Sequence, residues 1–218
     1  FKLSVRTFFF WLAIVFSLAS CGIQNPTLDT FMYLLPGGKQ YATVVAGYEY
    51  IAVEFEGRAS VMALGSREVQ GSGPEQIITE RWYNAKGEML VLKNGRIDTA
   101  LGMAVEWRSN ESSPPSWQSV SDDRYRTRWT RTLSIMPGYR FNQTDQVITG
   151  RIEPVSVPSV PTTAEWFADE VTSRDREGRP WHFIQRFAVR DQRVVYSEQC
   201  LSPQICFKLR PLGLIGKS

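Results

Sequence analysis

His182 is the single histidine of this 218-residue chain, so any histidine-dependent chemistry must use it. Its segment, Trp181 to Val189, alternates like a strand. Trp181, Phe183, Phe187 and Val189 share one face with Gln185 among them, and His182 points the other way beside Ile184 and Arg186. No Gly-x-Ser-x-Gly elbow accompanies it, and a solvated surface histidine is the ordinary reading. Glu165, Asp169 and Glu170 come closest to the paired carboxylates that hydrolyse glycosidic bonds. On a strand, however, Glu165 and Asp169 share a face and Glu170 lies opposite, which reads as a solvated face. Asp122-Asp123 lacks the spacing of a calcium loop. One histidine and one cysteine pair leave no usual zinc ligand set, and no glycine-rich phosphate loop occurs. These residues assign no catalytic group, no metal site and no cofactor. The expectation is a protein that is not an enzyme.

Cysteine chemistry is the exception. Lys2 and Arg6 precede an apolar run, Phe8 to Phe16, that continues through Ser17 to Leu18, and no acid occurs before Asp29. A basic start, a short apolar core and small residues before a cut site make a secretory signal. The run is shorter than the roughly 20 apolar residues that span a bilayer. The cut site reads Leu18-Ala19-Ser20-Cys21 and resembles a bacterial lipobox. That resemblance implies cleavage after residue 20 and a lipid such as palmitate on Cys21, with stable anchoring by more than one acyl chain. By resemblance to enterobacterial lipoprotein sorting, Gly22 in place of aspartate implies the outer membrane, with the protein on its periplasmic face. The expected division is therefore a signal peptide over 1–20, the lipidated cysteine and a tether over 21–28, and a single mainly-β periplasmic domain over 29–218.

The formal charge of the whole chain is +3, and Lys2 and Arg6 leave with the signal. The remainder is nearly neutral and gives no electrostatic reason to bind nucleic acid. An apolar content of 43% is that of an ordinary folded domain. Cys200 and Cys206 are the two other cysteines, and an oxidising compartment permits a disulfide between them. They sit in two alternating runs joined by five residues, which read as a hairpin. If Cys200 faces Cys206, Glu198 lies opposite Lys208 and Tyr196 opposite Arg210. Gln199–Phe207 and Ser197–Leu209 then share the other face. A redox role lacks a Cys-x-x-Cys motif and a helix start to lower a thiol pKa.

The elements that must position these groups are mostly strands. Asp29 to Leu35 suits a short helix with Phe31 inward, stopped by Pro36-Gly37-Gly38. Tyr48 to Phe55 puts Ile51, Val53 and Phe55 on one face, Glu56-Gly57 turns, and Ala59 to Leu64 is apolar on both faces. Ile77 to Tyr83 and Glu88 to Lys93 flank a turn at 84–87. Asn94-Gly95 is the sharpest local signal: both residues tolerate positive φ, so Leu90 to Leu92 folds back on Arg96 to Asp98. Residues 110 to 123 read as a loop. Arg126 to Met136 and Val147 to Ile152 are strands, and Pro154, Pro158 and Pro161 mark an irregular connection. Ala164 to Val171, Trp181 to Val189, Arg193 to Gln199 and Ile205 to Leu209 form a four-stranded meander. The expected fold is mainly β, antiparallel sheets forming a sandwich or half-barrel (of the LolA/LolB type), with one or two short helices.

Two features stand out on these strands. Arg131 joins the apolar face of Trp129, Leu133 and Ile135, where an unpaired charge is costly. It needs a partner such as Glu170, or else it grips a polar ligand. Trp82, Tyr83, Trp107 and Trp129 could stack on sugar rings if exposed, although core packing is the ordinary use of tryptophan. Trp82, Trp129 and Arg131 are the candidate ligand or partner face.

The chain resembles the YjbF/GfcB family of lipoproteins, linked to exopolysaccharide and group 4 capsule formation. The residues that carry the resemblance are Leu92-Lys93-Asn94-Gly95-Arg96-Ile97, Arg128-Trp129-Thr130-Arg131-Thr132-Leu133, and Trp166 with Glu170-Val171-Thr172-Ser173. Trp181, Phe183 and Phe187, then Ser197-Glu198-Gln199 and Phe207-Lys208-Leu209-Arg210-Pro211-Leu212, complete it. The Cys200–Cys206 pair departs from the family pattern. The resemblance implies a β-rich, non-enzymatic lipoprotein that assists capsule or exopolysaccharide export by binding polysaccharide or other envelope secretion proteins. The alternative is a carrier of lipid or acyl chains with an apolar half-barrel cavity. That reading expects a pocket lined by residues such as Ile51, Val53 and Phe55, open at one end.

Overall fold

The computed structural model describes residues 47–122, 126–135, 141–174 and 177–214. The signal, Cys21 and the helix expected over 29–35 lie outside them. The described residues form twelve strands: β1 (Glu49–Phe55), β2 (Arg58–Gln70), β3 (Ile77–Tyr83), β4 (Met89–Lys93), β5 (Arg96–Leu101) and β6 (Trp107–Ser112), then β7 (Thr127–Ile135), β8 (Phe141–Arg151), β9 (Glu165–Arg174), β10 (Pro180–Arg190), β11 (Arg193–Ser202) and β12 (Ile205–Leu214). Each pairs antiparallel with its neighbours in sequence, and β12 returns to pair with β1 through Val53↔Leu209 and Phe55↔Phe207. The result is a closed up-and-down barrel, which corrects the expected sandwich or half-barrel. Among the described residues, closure leaves no edge strand. The β5–β6 join is the thinnest, with only Thr99↔Arg108 and Ala100↔Trp107 in register.

Local chemistry explains the hairpins. Glu56 and Gly57 have φ of 48° and 70°, and Asn94 and Gly95 have 47° and 74°. Both are two-residue turns whose left-handed residues match the strand twist. The Cys200–Cys206 disulfide joins directly opposed residues of β11 and β12. Glu198↔Lys208, Ser197↔Leu209 and Gln199↔Phe207 follow in the expected register.

Inside, the apolar core runs through Ile51, Val53, Met62, Leu90, Trp107, Leu133 and Phe207. Outside, ion pairs such as Arg186–Glu198 (3.2 Å), Lys208–Glu54 (3.8 Å) and Arg126–Glu170 (2.6 Å) cover the wall. A membrane-crossing barrel has the reverse order, an apolar outer band around a polar lumen. This barrel is built to face water. The connection from 152 to 164 lies against the outer wall, with Val157 and Val160 packed on Trp166, Ala188 and Tyr196. That strap buries outward residues of β9 and β10 that would otherwise be wet.

The region read as a loop over 110–123 is more ordered than expected. Strand β6 reaches Ser112, and helix α1 spans Trp117–Asp122. Ser116 caps it, its hydroxyl accepting from the Ser119 N–H at 3.1 Å. Composition suggested a loop because Ser113-Pro114-Pro115 breaks any strand, but Trp117 then docks the short helix onto Phe167 and Phe187.

The walls also touch across the interior. The β4–β5 turn reaches the β10–β11 hairpin, where Gly95 sits so near Val194 that an added Cβ would lie 2.3 Å from the valine Cγ2. Gln199 of β11 holds that turn by donating to Gly95 O and accepting from the Ile97 N–H, both at 2.8 Å. Gly95→Ala is therefore expected to lose at least the roughly 1–2 kcal/mol of a left-handed alanine. The check is a lower urea midpoint at unchanged slope.

Candidate functional site

The inward turn splits one end of the barrel. On one side α1 plugs it; on the other lies a cavity of about 470 Å³ between β1–β4 and β11–β12. Its rim is the β10–β11 turn, Arg190 to Arg193, with the outer ends of β1 and β12. Ile78 and Val194 give it partly exposed apolar walls, and Trp82, Ile51, Leu92 and Leu209 lie beneath, Trp82 only 2% exposed. Its volume falls within the range of about 300–1,000 Å³ typical of small-molecule sites.

A charged triad organises the cavity. Arg67 donates from Nη1 and Nη2 to both oxygens of Glu49, at 2.9 and 2.6 Å, and from Nε to Glu80 at 2.8 Å. Arg193 approaches Glu49 at 3.9 Å from the rim. The β2–β3 register makes this possible by placing Arg67 opposite Glu80. Hydrogen bonding from Arg67 holds the Glu49 carboxyl below the usual carboxylate range, against the opposing effect of burial, and the same bonds hold the Arg67 guanidinium protonated. Glu49 has a lowered pKa in the folded state, so its stabilising contribution is complete above the unfolded value of about 4.3 and fades as pH falls through the folded value. Unfolding free energy compared between wild type and Glu49→Gln should differ at neutral pH and converge in acid.

Deeper in the barrel lie two buried ion pairs. Arg96 grips Asp169 with Nε at 2.7 Å and Nη2 at 3.2 Å, while Thr149 donates to the same carboxylate at 2.6 Å. The Arg96 guanidinium lies 3.9 Å from the Trp117 ring centre and donates to Pro115 O at 3.1 Å, tying the helix plug to the wall. Arg131 pairs with Asp145 at 2.8 Å. Its expected partner, Glu170, instead holds Arg126 on the outside. The reason is register: Arg131 stands directly opposite Asp145 on β8, whose first half was not recognised as strand.

The structure does not assemble Trp82, Trp129 and Arg131 into one exposed face. Trp82 and Arg131 are buried, Trp107 is core, and half-buried Trp129 donates to Thr149 at 2.9 Å. Tyr83 alone of the four aromatics is exposed. Asp169 is locked to Arg96, and exposed Glu165 pairs with Arg151 at 2.8 Å, so the acids of β9 do not share a cleft. His182 is exposed, with Nδ1 3.1 Å from the Thr172 hydroxyl. Of the expected apolar lining, only Ile51 reaches the cavity; Val53 and Phe55 belong to the packed core. The residues missed were Glu49, Arg67 and Glu80, spread over three strands with no local signal.

The described residues thus form a closed barrel with a charged outer wall and a charge-lined cavity at one end. The chain matches the family described as Group 4 capsule polysaccharide lipoprotein gfcB, YjbF over residues 44–208, and it belongs to that family. The hypothetical lipoprotein YmcC from Escherichia coli (K12) has a similar structure, with a TM-score of 0.59 at 16% identity, covering 81% of this chain and 91% of that one. At that identity the likeness speaks for the fold. No curated protein matches the chain.

Proposed function

We propose that this protein is a lipid-anchored, non-enzymatic accessory of capsule or exopolysaccharide export or assembly, held at the periplasmic face of the outer membrane, and that its barrel binds the polysaccharide. The observation that carries this reading is the family match, which takes in the barrel from β1 into β12. The Leu18-Ala19-Ser20-Cys21 motif supports the anchor. The charged outer wall suits a barrel suspended in water from a lipid. The acyl-carrier alternative is the less favoured one, because six charged residues share the cavity lining with apolar ones such as Ile51, Trp82 and Leu92.

Two experiments test the reading. Cys21→Ser should shift the protein from the membrane fraction to the soluble fraction; retention in the membrane would sink the lipid anchor. Titration of the full-length protein, in detergent, with intact purified surface polysaccharide should give saturable binding followed by tryptophan fluorescence. A folded protein that binds none would end the direct-contact part of the proposal.

A further inference from the structure

We infer that the barrel-end cavity takes an uncharged sugar unit, recognised through its hydroxyl groups; this rests on the polysaccharide reading above. The first ground is charge balance. Three acids, Glu49, Glu80 and Asp191, and three bases, Arg67, Arg190 and Arg193, line the cavity. An anionic ligand such as a uronic acid or a phosphate gains no net attraction there, and a cationic amine gains none either. A hydroxyl both donates and accepts, so it matches a wall that offers both kinds of partner.

The second ground is how the charges are arranged. Arg67 already spends Nε, Nη1 and Nη2 on two carboxylates, so it orients acceptors and is a poor clamp for a new anion. Each carboxylate has about four acceptor sites. Glu80 gives one oxygen to Arg67 and keeps acceptor capacity for a donor in the cavity. Hydrogen bonds to such ionised acceptors are about twice as strong as neutral ones. The third ground is shape. The triad is fixed on adjacent strands β1, β2 and β3, while half-exposed Arg193 stands at the rim, where a longer chain would leave the cavity. Ile78 and Val194 supply apolar surface for the C–H faces of a ring.

The test uses the full-length protein in detergent, with calorimetric titration of neutral cello- and galacto-oligosaccharides of two to four units, neutral fragments of the surface polysaccharide, and trigalacturonate. A neutral probe should bind at least tenfold more tightly than trigalacturonate. Glu80→Gln should weaken neutral binding at least tenfold, and Arg193→Ser should weaken it several-fold, both with melting temperatures near wild type. Glu165→Gln, on the outer wall, should change nothing. Preference for the acidic probe, equal binding by Glu80→Gln and Arg193→Ser, or no binding of any neutral probe would overturn the inference. If those variants bind the intact polysaccharide as wild type does, the cavity is wrong and the polysaccharide reading survives. If wild type binds no polysaccharide at all, the reading beneath the inference fails.

Discussion

Arg96→Ala should cost about 3–5 kcal/mol, because it leaves the Asp169 carboxylate buried without its counter-charge. Arg96 and Asp169 are both almost fully buried, so solvent cannot replace the lost partner. The same change removes the ring contact with Trp117 and the bond to Pro115 O, which fasten the helix plug. For a chain of this size the loss corresponds to a melting-point drop of roughly 6–20 °C, a large part of the 5–15 kcal/mol or so that holds a typical domain together. The informative comparison is Arg96→Met combined with Asp169→Leu. Exchanging both partners for apolar residues of similar shape should be milder than Arg96→Ala alone. If the double variant melts lower than Arg96→Ala, the pair is not the source of the effect.

Phe207→Ala should be comparably damaging, at about 3–5 kcal/mol, from lost burial and the cavity left behind. Phe207 is fully buried where β12 closes onto β1, stacked on Phe55 at 4.4 Å and meeting Trp107 edge-on at 5.5 Å. It therefore contacts both sides of the closure and the far wall at β6. Phe207→Leu keeps most of the volume and should cost under half as much. Thermal unfolding followed by near-ultraviolet circular dichroism reports both, and equal melting points for the alanine and leucine variants would contradict the packing argument.

Much of the barrel was legible because its signals are local. Alternation in Tyr48 to Phe55 and in Trp181 to Val189, the Asn94-Gly95 turn, and the Cys200–Cys206 register all reappear in β1, β10 and the two hairpins. Closure was not legible, since the pairing of β1 with β12 joins residues about 150 positions apart and leaves no periodic mark. Arg131 was recognised as a charge on an apolar face, and it is one. The same rule applied to Asp169, between Phe167 and Val171 on its face of β9, would have found the second buried pair. The Glu49–Arg67–Glu80 triad could not be found that way. Its members are single charges on three strands, Glu49 opening β1, Arg67 in the second half of β2 and Glu80 at the middle of β3, and only the β1–β3 packing brings them together.

The role in the cell is decided by surface polysaccharide measured in a strain lacking this gene, with and without a wild-type copy restored. The proposed function predicts a marked loss of cell-surface or secreted polysaccharide that the wild-type copy repairs. Unchanged polysaccharide in the deletion strain would contradict it, whatever the purified barrel binds.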